Sequence, residues 1–114
     1  MLAVIFELEP IAESKQQYLD IAAELGSELC TIDGFISIER FESLSQPGKL
    51  LSLSFWRDEA AISAWRNLEL HRAAQQAGRD HLFRDYRLRV AEVIRDYSLE
   101  QRATAPADSV DVHG

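Results

Sequence analysis

Cysteine is almost absent from this chain: Cys30 stands alone among 114 residues, so no intrachain disulfide can form and a thiolate metal cluster is excluded. A reducing cytoplasm is the expected setting. Cations are also in deficit. Lys and Arg number 12 against 19 Asp and Glu, a net charge of −7, whereas a nucleic-acid binder needs clustered cations in excess to neutralise phosphates. Long apolar runs are missing too. The stretch Leu2-Ala3-Val4-Ile5-Phe6 breaks at Glu7 and has no basic leader, too short for a signal peptide or membrane span and better read as a first strand. There is no P-loop, dinucleotide fingerprint or His-Glu-x-x-His, and nothing points to a bound flavin. His71, His81 and His113 have no metal-ligand spacing. Ser37, Ser52 and Ser54 have no His nearby in sequence to make nucleophiles of them. Neither metal nor organic cofactor is therefore expected, and neither nucleic acid nor membrane as a partner.

What is present reads as one ordinary α+β domain, with 46% hydrophobic and 27% charged residues. Alternation puts Leu2, Val4, Phe6 and Leu8 on one face of the first strand, which Pro10 stops. From Ser14, with Gln17 offering a capping box, Tyr18, Ile21, Ala22, Leu25 and Leu29 recur at helical spacing. Asp33-Gly34 marks a turn, Phe35 to Phe41 a strand, Gln46-Pro47-Gly48 a second turn and Leu50 to Trp56 a third strand. Asp58 is a natural N-cap for a short helix containing Ile62 and Trp65. Asn67 is read as a break before another helix from Leu68 to Ala77, closed by Gly78. A last strand is expected from Tyr86 to Tyr97. Acidic residues dominate the first helix, while seven arginines from Arg66 to Arg95 interleave with acids later, a local field able to attract a carboxylate-bearing or anionic aromatic ligand. Two helices on one face of a four-stranded antiparallel sheet leave the other face to be covered. That face, holding Ala3, Ile5, Ala91 and Val93 with Phe35 and Phe41 or with Leu51, Leu53 and Phe55, is too apolar for water, and a homodimer is expected to bury it.

Phe55-Trp56, the Asp58-Glu59-Ala60 helix start, Ala64-Trp65-Arg66, His71-Arg72-Ala73-Ala74-Gln75, Gly78-Arg79 and the strand with Val90 and Val93 form a connected pattern. It resembles the antibiotic biosynthesis monooxygenase family, small proteins of the dimeric α+β barrel type. The resemblance covers residues 1–98 and leaves 99–114 as a C-terminal tail, flexible or lying as an arm on a partner. It implies a ferredoxin-like β-α-β-β-α-β domain that pairs into a dimeric α+β barrel. Quinone-forming members work on small aromatic or enolisable compounds such as quinols and anthrones without a cofactor, which makes a cofactor-independent monooxygenase the leading expectation.

Site residues follow from the same resemblance. Family members place Trp65 beside a pocket between helices and sheet, although a large residue on a helix face is as readily core. His71 stands where quinone-forming members carry a Tyr that assists substrate ionisation, and an imidazole could accept that proton, the alternative being a surface or capping His. Ala61 stands where they carry an Asn, a polar role Asn67 could take from another turn. Arg84 lies near a family arginine that stabilises an anion, though an Arg in Arg-Asp-Tyr-Arg can equally be a solvated strand start. Tyr86, Phe83 and His81 are expected to line the pocket. Where the heme-degrading branch of the fold needs an axial His, this chain has Gln75, and where it needs an Asn on the first strand there are Phe6 and Glu7. Typical heme cleavage is therefore disfavoured, with His71 able to ligate iron only in a shifted geometry. A non-catalytic dimeric module that binds a small aromatic ligand, or serves in stress response, is the second reading, and a heme-binding relative the third.

Overall fold

The computed structural model describes residues 1–76 and 83–106, without the side chains of 69–76. Strand β1 (Leu2–Pro10) is followed by a single 3-10 turn (Ala12–Ser14) and helix α1 (Lys15–Leu29). Strands β2 (Phe35–Glu42) and β3 (Leu50–Trp56) then form a hairpin. Helix α2 (Glu59–Gln76) leads to strand β4 (Phe83–Glu92). The four strands lie in the order β2-β3-β1-β4 with every neighbour antiparallel, which is the ferredoxin-like α+β arrangement expected. Among the described residues no helix is long and apolar enough to cross a membrane.

The two central strands carry the core because their alternation has the period of the pleat. Val4, Phe6 and Leu8 on β1 and Leu50 and Trp56 on β3 are buried on the helix side. Tyr18, Ala22, Leu25 and Leu29 form the buried stripe of α1. The core divides into two clusters along the sheet. Trp56, Val4 and Leu29 pack with Ala61, Ile62 and Trp65 of α2 at one end, and Phe6, Leu8, Leu50, Tyr18 and Ala22 pack at the other. Buried Ser54 on the same face gives the fully buried Trp56 its polar partner, the indole N–H donating to Ser54 Oγ at 2.9 Å.

Four local expectations are corrected. Ser14 makes no capping hydrogen bond, because it ends the 3-10 turn and is buried there, its N–H donating to the Ile11 carbonyl. Asn67 does not interrupt α2, since an exposed Asn costs a helix interior only a few tenths of a kcal/mol, ~0.5, and buried Trp65 anchors the turn before it. The last strand starts and ends earlier than Tyr86 to Tyr97, because among the described residues β1 is its only ladder partner, pairing from Phe83 opposite Pro10 to Glu92 opposite Leu2. Phe35 belongs to the helix side, where its ring meets Trp56 edge to face at 5.1 Å. A register shift between Phe35 and Ser37 reverses the facing that simple alternation assigns it. Beyond β4 the chain closes on itself: Thr104 Oγ1 donates to the Asp96 carbonyl at 2.9 Å, and the Arg102 guanidinium stands 5.6 Å over the Tyr97 ring.

Gly34 and Gly48 make the two turns with φ of +93° and +90°. They differ in space, since a Cβ on Gly34 would stand 2.8 Å from Ala61 Cβ whereas one on Gly48 meets nothing within 4 Å. Gly48→Ala is expected to cost only the backbone strain, ~1 kcal/mol. Gly34→Ala adds the clash with the first turn of α2 and should cost ~3 kcal/mol, the two being compared by urea denaturation.

Candidate functional site

Two features position α2. At its start Asp58 Oδ1 accepts from the Ala61 N–H at 3.0 Å, the expected N-cap. Arg57 then ties this start to the β2 entrance: both of its terminal nitrogens donate to the Asp33 carboxylate at 3.1 Å, and Nε donates to Asp58 Oδ2 at 2.9 Å. The Arg57 guanidinium holds both carboxyls below their ordinary value of 3.8, with the Ala61 N–H adding to the effect at Asp58. One turn on, Trp65 is 8% exposed and its ring lies 5.7 Å from that of Trp56. Trp65 is thus a core residue that fastens α2 to the sheet. Ala61 is buried against Gly34, so the residue standing where relatives carry a polar Asn is a packing position here. Asn67 is exposed, two residues past Trp65 and so on the opposite side of the helix.

A second set of residues gathers where β4 enters the sheet. The register between β1 and β4 shifts between Glu9 and Pro10, so that Asp85 faces Glu9 but Phe83 faces Pro10 and Arg84 is the extra residue. Three residues apart, Phe83 and Tyr86 would ordinarily lie on opposite faces, and the bulge brings both to the helix side. There they form a ring cluster with Phe6 and Tyr18: Phe6 to Phe83 at 6.0 Å, Phe6 to Tyr86 at 5.9 Å and Tyr18 to Phe83 at 5.5 Å, all edge to face. Tyr86 remains 63% exposed, and Leu88 and Val90 continue the same strand face at 44% and 43%. The result is an aromatic and aliphatic ledge on the helix side of β4. Beside Tyr86 an open cleft of about 210 Å³ is lined by Lys49 and Arg87 together with three carboxylates, those of Glu7, Glu9 and Asp85.

Phe83 and Tyr86 are therefore brought together with each other, and with Phe6 and Tyr18, which the sequence marks only as inward-facing core. Arg84 is exposed at the bulge beside them. Trp65 sits in the other core cluster. His71 lies on α2 about 9 Å further along its axis than Trp65, and its side chain lies outside the described residues, as do His81, His113 and the Gly78-Arg79 pair. Among the described residues no group of three or more His, Cys, Asp or Glu side chains gathers to hold a metal.

The architecture is a ferredoxin-like α+β domain with an exposed apolar ledge on the helix side of β4, and the sequence narrows the class. Residues 1–77 match the antibiotic biosynthesis monooxygenase family, and the chain belongs to that family. It is 46% identical over 114 residues to the jasmonate monooxygenase ABM of Pyricularia oryzae, an alignment covering 97% of this chain and 53% of that protein, so the chain spans about half the length of this relative. It is 31% identical over 93 residues to the protein YqjZ of Bacillus subtilis, covering 82% of this chain and 79% of YqjZ. Among solved structures, a Mycobacterium tuberculosis protein superposes with a TM-score of 0.71 at 21% identity, covering 85% of this chain and 98% of that one, which bears out the fold.

Burial separates anchor from ledge. Trp65→Ala removes a buried ring from the core and is expected to cost roughly 3–5 kcal/mol, whereas Tyr86→Ala, at a mostly exposed position, should cost under ~1 kcal/mol; chemical denaturation measures both. The Arg57 clamp has a pH signature. Asp33 and Asp58 titrate lower in the folded chain than unfolded, so their contribution is present above about pH 4 and is lost as pH falls through the folded values. Arg57→Ala should therefore lose less stability than the wild type between about pH 5 and 2, read from urea midpoints across that range.

Proposed function

We propose that the chain is a cofactor-independent monooxygenase acting on a small aromatic or enolisable compound seated on the ledge of Phe83, Tyr86, Leu88 and Val90. The observation that carries this reading is the aromatic cluster of Phe6, Tyr18, Phe83 and Tyr86, buried at its base and open at Tyr86. An apolar surface of that kind takes a flat, weakly polar molecule. Jasmonate, named for the Pyricularia oryzae relative, is a cyclopentanone with a carboxylate arm and falls in the enolisable class.

In the proposed reaction His71 takes a proton from the substrate, and Arg84 stabilises the phenolate or enolate so formed. The substrate anion then gives one electron to dioxygen, the radical pair combines into a peroxide, and loss of water leaves the oxidised product. For an anthrone the balance is one substrate and one dioxygen to one quinone and one water. Trp65 fixes the helix that carries His71, while Phe83 and Tyr86 complete the binding side and Asn67, turned away from the sheet, takes no part. Residues 1–98 act as the domain and 99–114 as its tail, in a reducing cytoplasm. We further read the working unit as a homodimer, supported by the apolar sheet face that the helices leave open.

A dimeric binding module without turnover is favoured by one observation, the buried Ala61 in place of a polar orienting group. Oxygen uptake by the purified, metal-stripped protein separates the two readings, using a panel of quinols, anthrones and jasmonate with mass-spectrometric product detection. Turnover above the buffer rate is expected, reduced about 100-fold or more in His71→Ala. Ligand retention with no oxygen consumed would point to the binding module, and an equally active His71→Ala would remove that residue from the mechanism.

A further inference from the structure

Asp33-Gly34 is the one place in the chain where glycine follows an aspartate, and it forms a turn. The Phe35 N–H donates to the Ile32 carbonyl at 3.1 Å, and Gly34, third of the four residues, has a φ of +93°, as a type II turn requires. An aspartate followed by glycine carries its own reaction partner. The backbone nitrogen of the glycine can attack the side-chain carboxyl carbon, and no Cβ shields that nitrogen. The Asp33 side chain is 89% exposed, so water reaches any ring that forms.

The bonds balance without a further reactant. Gly34 N bonds to Asp33 Cγ and gives up its proton, while the carboxyl loses one oxygen as water, leaving a five-membered succinimide. One water then opens the ring. Opening at the main-chain carbonyl leaves the chain running through the Asp33 side chain, an isoaspartate with one extra main-chain carbon and a carboxylate arm one carbon shorter. Ring closure needs a protonated carboxyl, because an ionised one is a poor electrophile and has no water to lose.

Three contacts oppose the closure. Both terminal nitrogens of Arg57 hold the Asp33 carboxylate oxygens at 3.1 Å, which keeps the group ionised and turned toward the guanidinium. The backbone N–H of Arg57 donates to the Gly34 carbonyl at 2.7 Å, so the same residue also fixes the main chain beside the attacking nitrogen. Ala61 Cβ stands 2.8 Å from where a Cβ on Gly34 would lie, and leaves the turn little room to swing.

We propose that Asp33-Gly34 is a latent site of spontaneous isoaspartate formation, restrained by Arg57, and that its rearrangement unseats the start of α2. The unseating follows from where the extra carbon enters. It lengthens the link between α1 and β2, draws the carboxylate back from Arg57 and pushes Gly34 against Ala61, disturbing both contacts that tie α2 to the β2 entrance.

Ageing the full chain in warm neutral buffer tests this, with isoaspartate located by chromatographic and mass-spectrometric mapping of its peptides. The same chain unfolded in urea supplies the unrestrained rate, and Asp85-Tyr86 and Asp96-Tyr97 serve as internal comparisons. Arg57→Ala, shown to be folded by circular dichroism, is expected to accumulate isoaspartate at position 33 about fivefold faster than the wild type, the upper range for an exposed ion pair. Salt screens such a pair, so the wild-type rate should rise with ionic strength while the Arg57→Ala rate does not, which separates the clamp from a general loosening of the turn. A folded wild type that isomerises as fast as the unfolded chain, or a variant no faster than the wild type, overturns the restraint. If Arg57→Ala fails to fold, the wild type decides alone: a rate indifferent to salt overturns it. The isolated isoaspartate form should unfold at lower urea than the parent, and an unchanged midpoint overturns the link to α2.

Discussion

Trp56 ends β3 with no surface left to solvent, and the core cluster that seats α2 is arranged around it. Its ring meets Phe35 from β2 and Trp65 from α2, so one side chain joins the hairpin, the central strand and the second helix. Burying an indole also buries an N–H, which is tolerable because Ser54, two residues earlier on the same face, accepts its hydrogen bond. A larger apolar residue at position 54 would leave that donor unpaired. The contact between the two Trp rings determines where α2 lies over the sheet, and hence where the backbone of His71 runs.

The residues of α2 that attract notice first are packing positions in this chain. Trp65 belongs to the core, Ala61 is pressed against Gly34, and the open aromatic surface lies at the other end of the sheet. That surface exists because β4 carries one residue too many opposite Pro10. Proline has no N–H to offer the ladder, and at that point the pairing shifts, aiming Phe83 and Tyr86 to the same side. A defect in the hydrogen-bond ladder thereby gathers four rings from β1, α1 and β4.

Legibility differed by the length scale of the signal. The first strand, the buried stripe of α1, the hairpin turns and the Asp58 cap could all be read from local pattern, since each rests on residues within one or two turns of each other. Phe6 and Tyr18 were visible as inward-facing residues, but their meeting with Phe83 was not. They stand on different elements, and nothing in local spacing reports a register shift between distant strands. The facing of Phe35 is not legible locally for the same reason, as alternation holds only until a bulge resets it. The continuity of α2 through Asn67 was hidden because tertiary burial of Trp65 outweighs a weak local preference.

The sequence by itself determined the order of elements, the two-sided character of the sheet and membership of the antibiotic biosynthesis monooxygenase family, because hydrophobic period, turn residues and motif spacing are local quantities. Tertiary structure decided which aromatic residues form the core and which the ledge, and on which face Phe35 and Phe83 lie. It also decided that Arg57 stands against Asp33. Those outcomes depend on strand register and bulges, which arise only when segments far apart in the chain are hydrogen-bonded side by side.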